Sequence, residues 1–267
     1  MSGRKEWWLI ACALAFLANV SVAFAVAADN IVAARYADPV SRYGHFAPGP
    51  PHEYARIEVS TASGAKLAYE LPETEVFEDV APRLVRLATS EPIQLLAVVS
   101  YRDHGAALAL IGIEKGRLKV VARSSPIGRP MRWLNPVGVA DLDGDGIAEI
   151  AAVITPHIGG ALTIYRRSGS RLKSVATLDG FSNHVYGSSE LRLSMFFTDG
   201  GGSRLVVPDT SRTVLRIIEF DGAGLRETGR CALREPIIGP IMDVAPGEIE
   251  VTQNGGRQRL RPTNCHL

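Results

Sequence analysis

The sequence lacks the features that mark a nucleic-acid-binding protein or a familiar class of enzyme. Its 29 basic residues are balanced by 28 acidic ones, so it has no surplus positive charge with which to bind a phosphate backbone. It also lacks a Gly-x-Ser-x-Gly elbow, a His-Glu-x-x-His pair, a phosphate-binding glycine loop and a dinucleotide fingerprint. These absences exclude a nucleic-acid partner and favour a protein that is not an enzyme.

Cysteine is also scarce, which excludes a fold held together mainly by disulfides. Of the three cysteines, Cys12 lies in an N-terminal targeting segment, so only Cys231 and Cys265 remain to form a pair. A bridge between them would tie down the C-terminal tail. Two unpaired thiols are the alternative that the sequence leaves open.

The N-terminus reads as a signal peptide over residues 1–27. Arg4 and Lys5 precede an apolar stretch that ends in small residues suited to cleavage after Ala27. We therefore expect a periplasmic or secreted protein, in which the 29 basic and 28 acidic residues become 27 and 27. An uncleaved membrane anchor over Trp7–Ala28 stays open, whereas a lipoprotein cleavage site at Cys12 has too little apolar chain before it.

Residues 28–53 are rich in proline and glycine and show no hydrophobic periodicity. This composition is typical of an extended linker or a loosely docked arm. We expect the histidines of this stretch, His45 and His52, to be solvated.

Helical periodicity is missing from residues 54–267, which consist of short apolar runs separated by turns. Similar runs recur at steps of 53 to 55 residues, giving three whole units between about Arg83 and Arg230. Each unit predicts four strands, which in the second unit are Val137–Ala140, Ile150–Ile154, Ala161–Arg166 and Leu172–Leu178.

A repeat of this size with four strands is typical of a β-propeller blade. We therefore predict an all-β protein, a small propeller of about four blades of four antiparallel strands. Strands 241–244 and 248–252 would share the fourth blade with strands 56–60 and 66–71. An open stack of blades and a set of five irregular blades are alternatives.

An acidic loop lies between the first two strands of the second unit. Asp141, Asp143, Asp145 and Glu149 occupy loop positions 1, 3, 5 and 9, and the carbonyl of Ile147 is available at position 7. Hard oxygen donors in a flexible glycine-containing loop suit Ca²⁺. A helix-loop-helix calcium hand is excluded, because position 12 is alanine instead of glutamate. A plain Asp-Gly turn without metal is the competing interpretation.

This loop and its flanking strands resemble the calcium loop of FG-GAP/VCBS repeats, the blades of integrin α-chain propellers and of many secreted bacterial proteins. The resemblance covers about 40 residues, 136–176, and it implies a bound Ca²⁺. The neighbouring units keep the blade pattern but not the acidic residues, so the resemblance implies a single metal site. It also implies that ligands bind on the face opposite the metal loop.

On that opposite face the sequence places loops rich in histidine, arginine and aromatic residues. The candidate contact residues there are Arg102, Asp103, His104, Arg132, Trp133, His157, Asn183, His184 and Tyr186. We expect Trp133 and Tyr186 to be exposed and to anchor an interface. The alternatives are that Trp133 only fills the gap between blades and that His157 only caps a hairpin.

Three functions follow from these observations. The first is a non-catalytic recognition or scaffold module that binds a protein or glycan outside the cytoplasm. The second is a hydrolase or lyase with acid-base work by His157 and His184, or with a second metal on these histidines. The third is a membrane-anchored assembly factor, if the N-terminal segment is retained.

Overall fold

The computed structural model describes residues 29–199 and 202–267, and this part of the chain is all-β, as predicted. It is built of strands joined by turns, together with a single 3-10 turn at Pro262–Asn264. None of the described residues forms a helix with the length and hydropathy that a membrane span requires. The predicted signal peptide lies outside the described residues.

The strands fall into five consecutive groups, which we call units 1 to 5. Unit 1 contains β1 (Ile31–Pro39), β2 (Tyr54–Thr61) and β3 (Lys66–Glu70), and unit 2 contains β4 (Glu75–Phe77), β5 (Arg83–Val85), β6 (Gln94–Tyr101), β7 (Gly105–Glu114) and β8 (Arg117–Ser124). Unit 3 contains β9 (Leu134–Ala140), β10 (Glu149–Ile154), β11 (Gly160–Ser168) and β12 (Arg171–Phe181). Unit 4 contains β13 (Met195–Asp199), β14 (Gly202–Pro208), β15 (Val214–Phe220) and β16 (Leu225–Ala232), and unit 5 contains β17 (Ile237–Ala245), β18 (Glu248–Gln253) and β19 (Gly256–Leu260).

Units 2, 3 and 4 each contain the predicted antiparallel meander of four strands. In unit 3 the register pairs Ile150 with Val139 on one side and with Tyr165 on the other. The four predicted strands of this unit lie inside the observed ones. The acidic loop therefore joins β9 to β10 at one end of the sheet, and residues 155–159 join β10 to β11 at the other end.

The units are stacked through the central strands, which are buried on both faces. Successive side chains of a strand point to opposite faces. Accordingly, Leu95 and Val99 of β6 pack against unit 1, whereas Leu96 and Val98 pack toward unit 3. Similar apolar clusters join unit 3 to unit 4 and unit 4 to unit 5. The core is thus a series of four layers, each between neighbouring units.

The predicted sharing of one blade between the two ends of the chain is wrong. Strand β2 pairs with β1, β3 and β4, and β18 pairs with β17 and β19, so the two sets form separate sheets. The physical reason is that each set finds partners nearby: residues 256–260, interpreted as an extra strand or tail, complete unit 5, and residues 31–39 complete unit 1. Within 29–199 and 202–267 no strand pairing or core cluster joins unit 5 to unit 1.

The stretch interpreted as a linker, residues 28–53, contains strand β1 and then a closely docked segment. The carboxylate of Glu53 is fully buried and accepts hydrogen bonds from the backbone N–H groups of Gly44, His45 and Phe46 at 2.8 to 3.0 Å. Buried Glu78 of unit 2 accepts the N–H of Ala47 at 2.8 Å. The sequence does not reveal either carboxylate as an anchor, because the partners of Glu53 are backbone N–H groups and those of Glu78 lie on distant parts of the chain.

A disulfide joins Cys231 of β16 to Cys265 near the C-terminus. The two Cα atoms are 5.0 Å apart, inside the limit of about 7 Å for a bridge. The N–H of Arg230 also donates to the carbonyl of His266 at 3.2 Å. The bridge therefore fixes the C-terminal segment to the edge of unit 4.

Candidate functional site

At the end of unit 3 opposite the acidic loop, five side chains come together, and we call them the histidine cluster. Its members are His45, Trp133, His157, His184 and Tyr186. The rings of Trp133 and His157 are stacked with centroids 6.1 Å apart, and those of His157 and Tyr186 meet edge to face at 5.3 Å. The cluster thus gathers residues from the N-terminal arm, the position just before β9, the β10–β11 loop and the segment after β12.

Hydrogen bonds define the tautomers of two of these histidines. The Nε2 atom of His184 lies 2.8 Å from the carbonyl oxygen of Ser188, and a carbonyl can only accept, so this nitrogen carries a proton. In the neutral ring Nδ1 of His184 is then an acceptor, and Nε2 of His157 donates to it at 2.7 Å. The remaining nitrogen, Nδ1 of His157, is left as a lone-pair acceptor without a partner in the described chain.

Burial keeps both rings uncharged. It lowers the pKa of His157 to about 3, with smaller contributions from the neighbouring His184, His45 and Arg212. Burial also lowers the pKa of His184 to about 4, and Arg212 adds to this effect while the hydrogen bond to Ser188 opposes it. At neutral pH the pair is a fixed chain of two neutral imidazoles.

Trp133 was expected to be exposed, and this expectation is wrong. Its side chain is 1% exposed, and its Nε1 donates to the backbone carbonyl of Glu78 at 2.8 Å. The residue immediately precedes β9 and packs between units 2 and 3, in one of the four apolar layers. Trp133 therefore fills the gap between units and supports the ring of His157.

Asn183 and His184 were also expected on the contact surface, but both are completely buried. Asn183 exchanges hydrogen bonds with Asn135 of β9: each side-chain amide donates to the other residue's backbone carbonyl, at 3.1 and 3.3 Å. The reason is that residues 182–184 follow β12 into the space between units 3 and 4 instead of forming a surface loop. Asn183 and His184 therefore lie below the surface and support the exposed residues of the site.

His45 was expected to be solvated, and this expectation is wrong: its side chain is only 12% exposed and belongs to the cluster. Its Nδ1 lies 2.8 Å from a carboxylate oxygen of buried Glu78, and its backbone carbonyl accepts the hydroxyl of Tyr186 at 2.7 Å. Gly49 of the same arm packs so closely on the Tyr186 loop that a Cβ there would lie 2.6 Å from the carbonyl oxygen of Gly187. No local pattern in the sequence signals these contacts, since His45 and Glu78 are 33 positions apart and His45 and Tyr186 are 141 positions apart.

Above the buried members lies an exposed surface, which we call the aromatic rim: Met131, His157, Ile158 and Tyr186. Ile158 is 61% exposed, Tyr186 56% and Met131 42%, while His157 is half-buried between them. The N–H of Met131 donates to the hydroxyl of Tyr43 at 2.8 Å, and the Tyr43 ring contacts His45. The rim is therefore apolar at its surface and held by hydrogen bonds below.

The polar candidates lie on the loop beside the rim. Arg102, Asp103 and His104 are exposed in the β6–β7 turn, where the N–H of Gly128 donates to the carbonyl of His104 at 2.8 Å. Arg132 is half-buried and donates to the carbonyl of Met131 at 2.8 Å. These residues border the rim, but none of them has a side-chain contact with the histidine cluster in the described chain.

The acidic loop at the opposite end folds around its own carboxylates. Both oxygens of Asp141 accept backbone N–H groups, from Gly144 at 2.8 Å and Gly146 at 3.0 Å. Oxygens of Asp141, Asp143 and Glu149 lie within 4.8 Å of one another.

An arginine from β11 enters this group of carboxylates. The guanidinium of Arg166 pairs with Asp143 and, at 2.7 Å, with buried Glu149, and it lies 4.0 Å from Asp145. Its pKa is raised, first by the hydrogen bond to Glu149. The side chain of Ile147 points into solvent and is 54% exposed.

Comparison with known proteins adds little to this geometry. No family model matches the chain, and neither does any curated protein. Among solved structures, the chain is similar to a candidate 6-phosphogluconolactonase from Bacteroides fragilis, with a TM-score of 0.44 and 16% sequence identity. The match covers 82% of this chain and 66% of that chain. A likeness at this level carries no argument about activity.

Proposed function

We propose that this protein is a non-catalytic recognition module that contacts a protein or a glycan through the aromatic rim. The observation that carries the proposal is that Tyr186 is exposed but held in a fixed position. The residue is more than half exposed, yet its hydroxyl is bound to the arm and its ring meets the His157 ring edge to face. Exposed tyrosines are frequent anchors of interfaces, and an anchor that is already held in place loses little entropy on binding.

The chemistry of the histidines supports recognition over acid-base catalysis. A general base works best with a pKa near the operating pH, whereas the pKa of His157 is lowered to about 3. No carboxylate hydrogen bonds to His157 or His184 within the described chain, so nothing there raises their basicity. The pair is better suited to supporting Tyr186 and Trp133 than to moving protons.

The test compares two exposed residues at opposite ends of the sheet of unit 3, Tyr186 in the segment after β12 and Ile147 in the acidic loop. Purified protein is immobilised and exposed to an envelope extract and to a glycan panel, and the retained molecules are quantified by mass spectrometry. Tyr186→Ser should reduce retention of a specific partner about tenfold, as expected for an interface anchor. Ile147→Ser is the matched control in the acidic loop and should leave retention unchanged.

Tyr186→Phe separates the ring from the hydroxyl that fixes it. If the ring is the anchor, this variant should retain most of the binding. The proposal fails if no molecule is retained above background, or if Tyr186→Ser and Ile147→Ser lose binding equally.

We also propose that the acidic loop binds one Ca²⁺ in a structural role. The donors that would hold it are the carboxylates of Asp141, Asp143, Asp145 and Glu149 with the carbonyl of Ile147, and hard oxygens of this kind fit Ca²⁺. Three of these carboxylates already converge, which supports the assignment. When bound, the cation would supply positive charge that offsets their repulsion.

Arg166 competes with Ca²⁺ for these carboxylates, because its guanidinium pairs with Asp143 and Glu149. The melting temperature of the parent should fall with a chelator and recover with added Ca²⁺, since saturation at 100 times the dissociation constant stabilises by about 2.7 kcal/mol. Arg166→Gln should bind Ca²⁺ more tightly than the parent, and Asp143→Ala should not respond. The proposal is refuted if the purified parent contains no calcium and its melting temperature does not change with a chelator. Arg166 would then be the cation that balances the charge of the loop.

Export is the part of the proposal that depends on residues 1–27. We propose that this segment directs the chain out of the cytoplasm and is then removed. N-terminal sequencing of the exported protein should begin near Ala28. Intact Trp7 and Trp8 in the membrane fraction would instead favour the anchored assembly factor.

A further inference from the structure

The aromatic rim is bordered by arginines that have no carboxylate partner. Arg129 and Arg132 flank Met131, the rim residue that lies shortly before β9. Within residues 29–199 and 202–267, the exposed side chain of Arg129 makes no hydrogen bond or ion pair. Arg132 is half-buried, and its guanidinium donates to the backbone carbonyl of Met131 at 2.8 Å. Both cations therefore have donors available for a ligand.

The backbone that carries these arginines is held in place. Gly105 of β7 packs so closely on it that a Cβ there would lie 2.2 Å from the carbonyl oxygen of Arg129 and 2.9 Å from that of Arg132. The N–H of Ala106 donates to the carbonyl of Arg132 at 2.8 Å, and the N–H of Met131 donates to Tyr43. On binding, only the arginine side chains would have to be ordered, which keeps the entropic cost low.

A third cation approaches the histidine pair from the turn between β14 and β15. The guanidinium of Arg212 donates to the hydroxyl of buried Ser182 at 3.1 Å, and its Nε has no partner among the described residues. Its positive charge contributes to the lowered pKa of both His157 and His184. A half-buried cation without a carboxylate is stabilised by any anion that comes near it.

Five carboxylates at the same end of the molecule do not pair with these three cations. Fully buried Glu53 and Glu78 accept backbone N–H groups of the arm, and Asp209 accepts those of its own turn. Glu190 is paired through both oxygens, at 2.9 Å, with the arginine two positions later. Asp103 is exposed, but the arginine that precedes it offsets its charge. The border of the rim therefore keeps uncompensated positive charge.

The exposed members of the rim indicate the class of partner. Met131 and Ile158 are aliphatic and largely exposed, and such side chains pack well on apolar side chains of another protein. A sugar offers mainly hydroxyl groups, which need polar partners when they are removed from water. An apolar centre with cations at its border is complementary to a protein segment in which an apolar side chain lies among carboxylates.

We propose that the aromatic rim binds an acidic segment of a protein, with carboxylates on Arg129 and Arg132 and an apolar side chain between Tyr186 and Ile158. Arginine suits this role, because its planar fork can bind a carboxylate through two parallel hydrogen bonds. Arg212 attracts the same segment from the other side of the rim. The inference rests on the proposed function of the rim and adds the charge of the partner to it.

Fluorescence anisotropy of labelled hexapeptides with blocked termini measures this binding on the full protein. The acidic peptide EDFLDE should bind at low salt with a dissociation constant of about 100 μM or less. The neutral peptide QNFLNQ keeps the apolar centre and should bind about tenfold more weakly, and so should hexaglutamate, which has no apolar centre. About 0.5 M NaCl should remove most of the difference between EDFLDE and QNFLNQ, because salt screens exposed ion pairs.

Variants assign the binding to the border of the rim. Arg129→Gln combined with Arg132→Gln should lower the affinity for EDFLDE about tenfold and leave that for QNFLNQ unchanged. The matched control is Lys115→Gln combined with Arg117→Gln, which removes two exposed cations at the opposite end of unit 2 and should have no effect. The melting temperatures of both proteins should stay close to that of the parent, since none of these four side chains is paired with a carboxylate in the described chain.

Three results would overturn the acidic partner. The first is equal affinity of the parent for EDFLDE and QNFLNQ, and the second is full affinity for EDFLDE in the Arg129→Gln, Arg132→Gln protein. The third is tighter binding of a sulfated oligosaccharide of equal charge, because the ligand would then be a glycan. Self-association of the parent that the double variant abolishes would identify a second copy of this chain as the occupant instead, and would also overturn it.

Tyr186→Ser separates this inference from the proposed function. Both peptides carry the apolar centre, so this variant should weaken the binding of both by the same factor. If it does, and the parent binds the two peptides equally, the rim is a recognition surface whose partner is not acidic. If Tyr186→Ser leaves both affinities unchanged, the rim is not the binding surface, and the proposed function fails together with the inference.

Discussion

The neutral pair His157 and His184 should make the stability of this protein depend on pH well above the range in which carboxylates titrate. Each ring has a folded pKa below its usual value of about 6.5, so the folded chain binds fewer protons than the unfolded chain at mildly acidic pH. The contribution of the two histidines to the free energy of unfolding is then fully present above about pH 6.5. It decreases as the pH falls toward the folded pKa values.

The magnitude follows from the completely buried member of the pair. With a folded pKa of about 4, His184 alone should lower the free energy of unfolding by about 2 kcal/mol between pH 7 and pH 5. His157 acts in the same direction. The acids Glu190 and Glu227, whose pKa values are lowered by arginine partners, would change their protonation below this window.

Urea unfolding at pH 7 and pH 5 measures the effect. The parent should lose about 2 kcal/mol more over this interval than His184→Gln, in which the titrating ring is gone. His104→Gln is the control, since His104 is exposed on the neighbouring loop, and it should lose as much as the parent. An equal loss in the parent and His184→Gln would refute the burial of a neutral His184.

Three further predictions concern the elements that surround the site. Replacing Cys231 and Cys265 by serine should lower the free energy of unfolding by about 4 kcal/mol, because the bridge spans 34 positions and restricts the unfolded chain, with urea unfolding as the measurement; an unchanged midpoint would contradict it. Glu53→Gln should cost about 2 kcal/mol in the same assay and open the arm to trypsin, since its carboxylate accepts three backbone N–H groups; a protease-resistant variant would argue against this anchor. Gly49→Ala should cost about 2 kcal/mol, because the residue has φ of +82° and its new Cβ would clash with Gly187, and wild-type stability would show that the arm is not packed as described.

Features that depend on local spacing could be predicted from the sequence. The acidic loop shows itself through alternating acids and glycines within nine residues, and the strands around it follow from alternating apolar runs. The meander of unit 3 then places His157 at the end opposite Asp143, because consecutive turns of antiparallel strands lie at opposite edges. The structure has that arrangement.

Features that depend on distant contacts could not be predicted in this way. The burial of Trp133 depends on a backbone carbonyl of Glu78, 55 positions earlier. The role of His45 depends on a carboxylate of that residue and on the docking of a proline-rich arm, whose composition suggested a linker. The pairing of β2 is a further example. The local sequence pattern does not determine whether β2 pairs with β1 or with a strand from the other end of the chain.

Side chains of the central strands alternate between two faces, so residues that are consecutive in a strand lie in different boundaries between units. Leu95 contacts the layer toward unit 1, and Leu96, one position later, contacts the layer toward unit 3. Damage at one boundary therefore passes to the next mainly through the backbone of a shared strand. Mutational costs at Leu95 and Leu96 should couple through β6, whereas costs at Leu95 and Val206, which lie in layers without a common strand, should add independently. Cooperativity in this chain is thus transmitted from one sheet to its neighbour, as it is along a repeat array, and not through one central core.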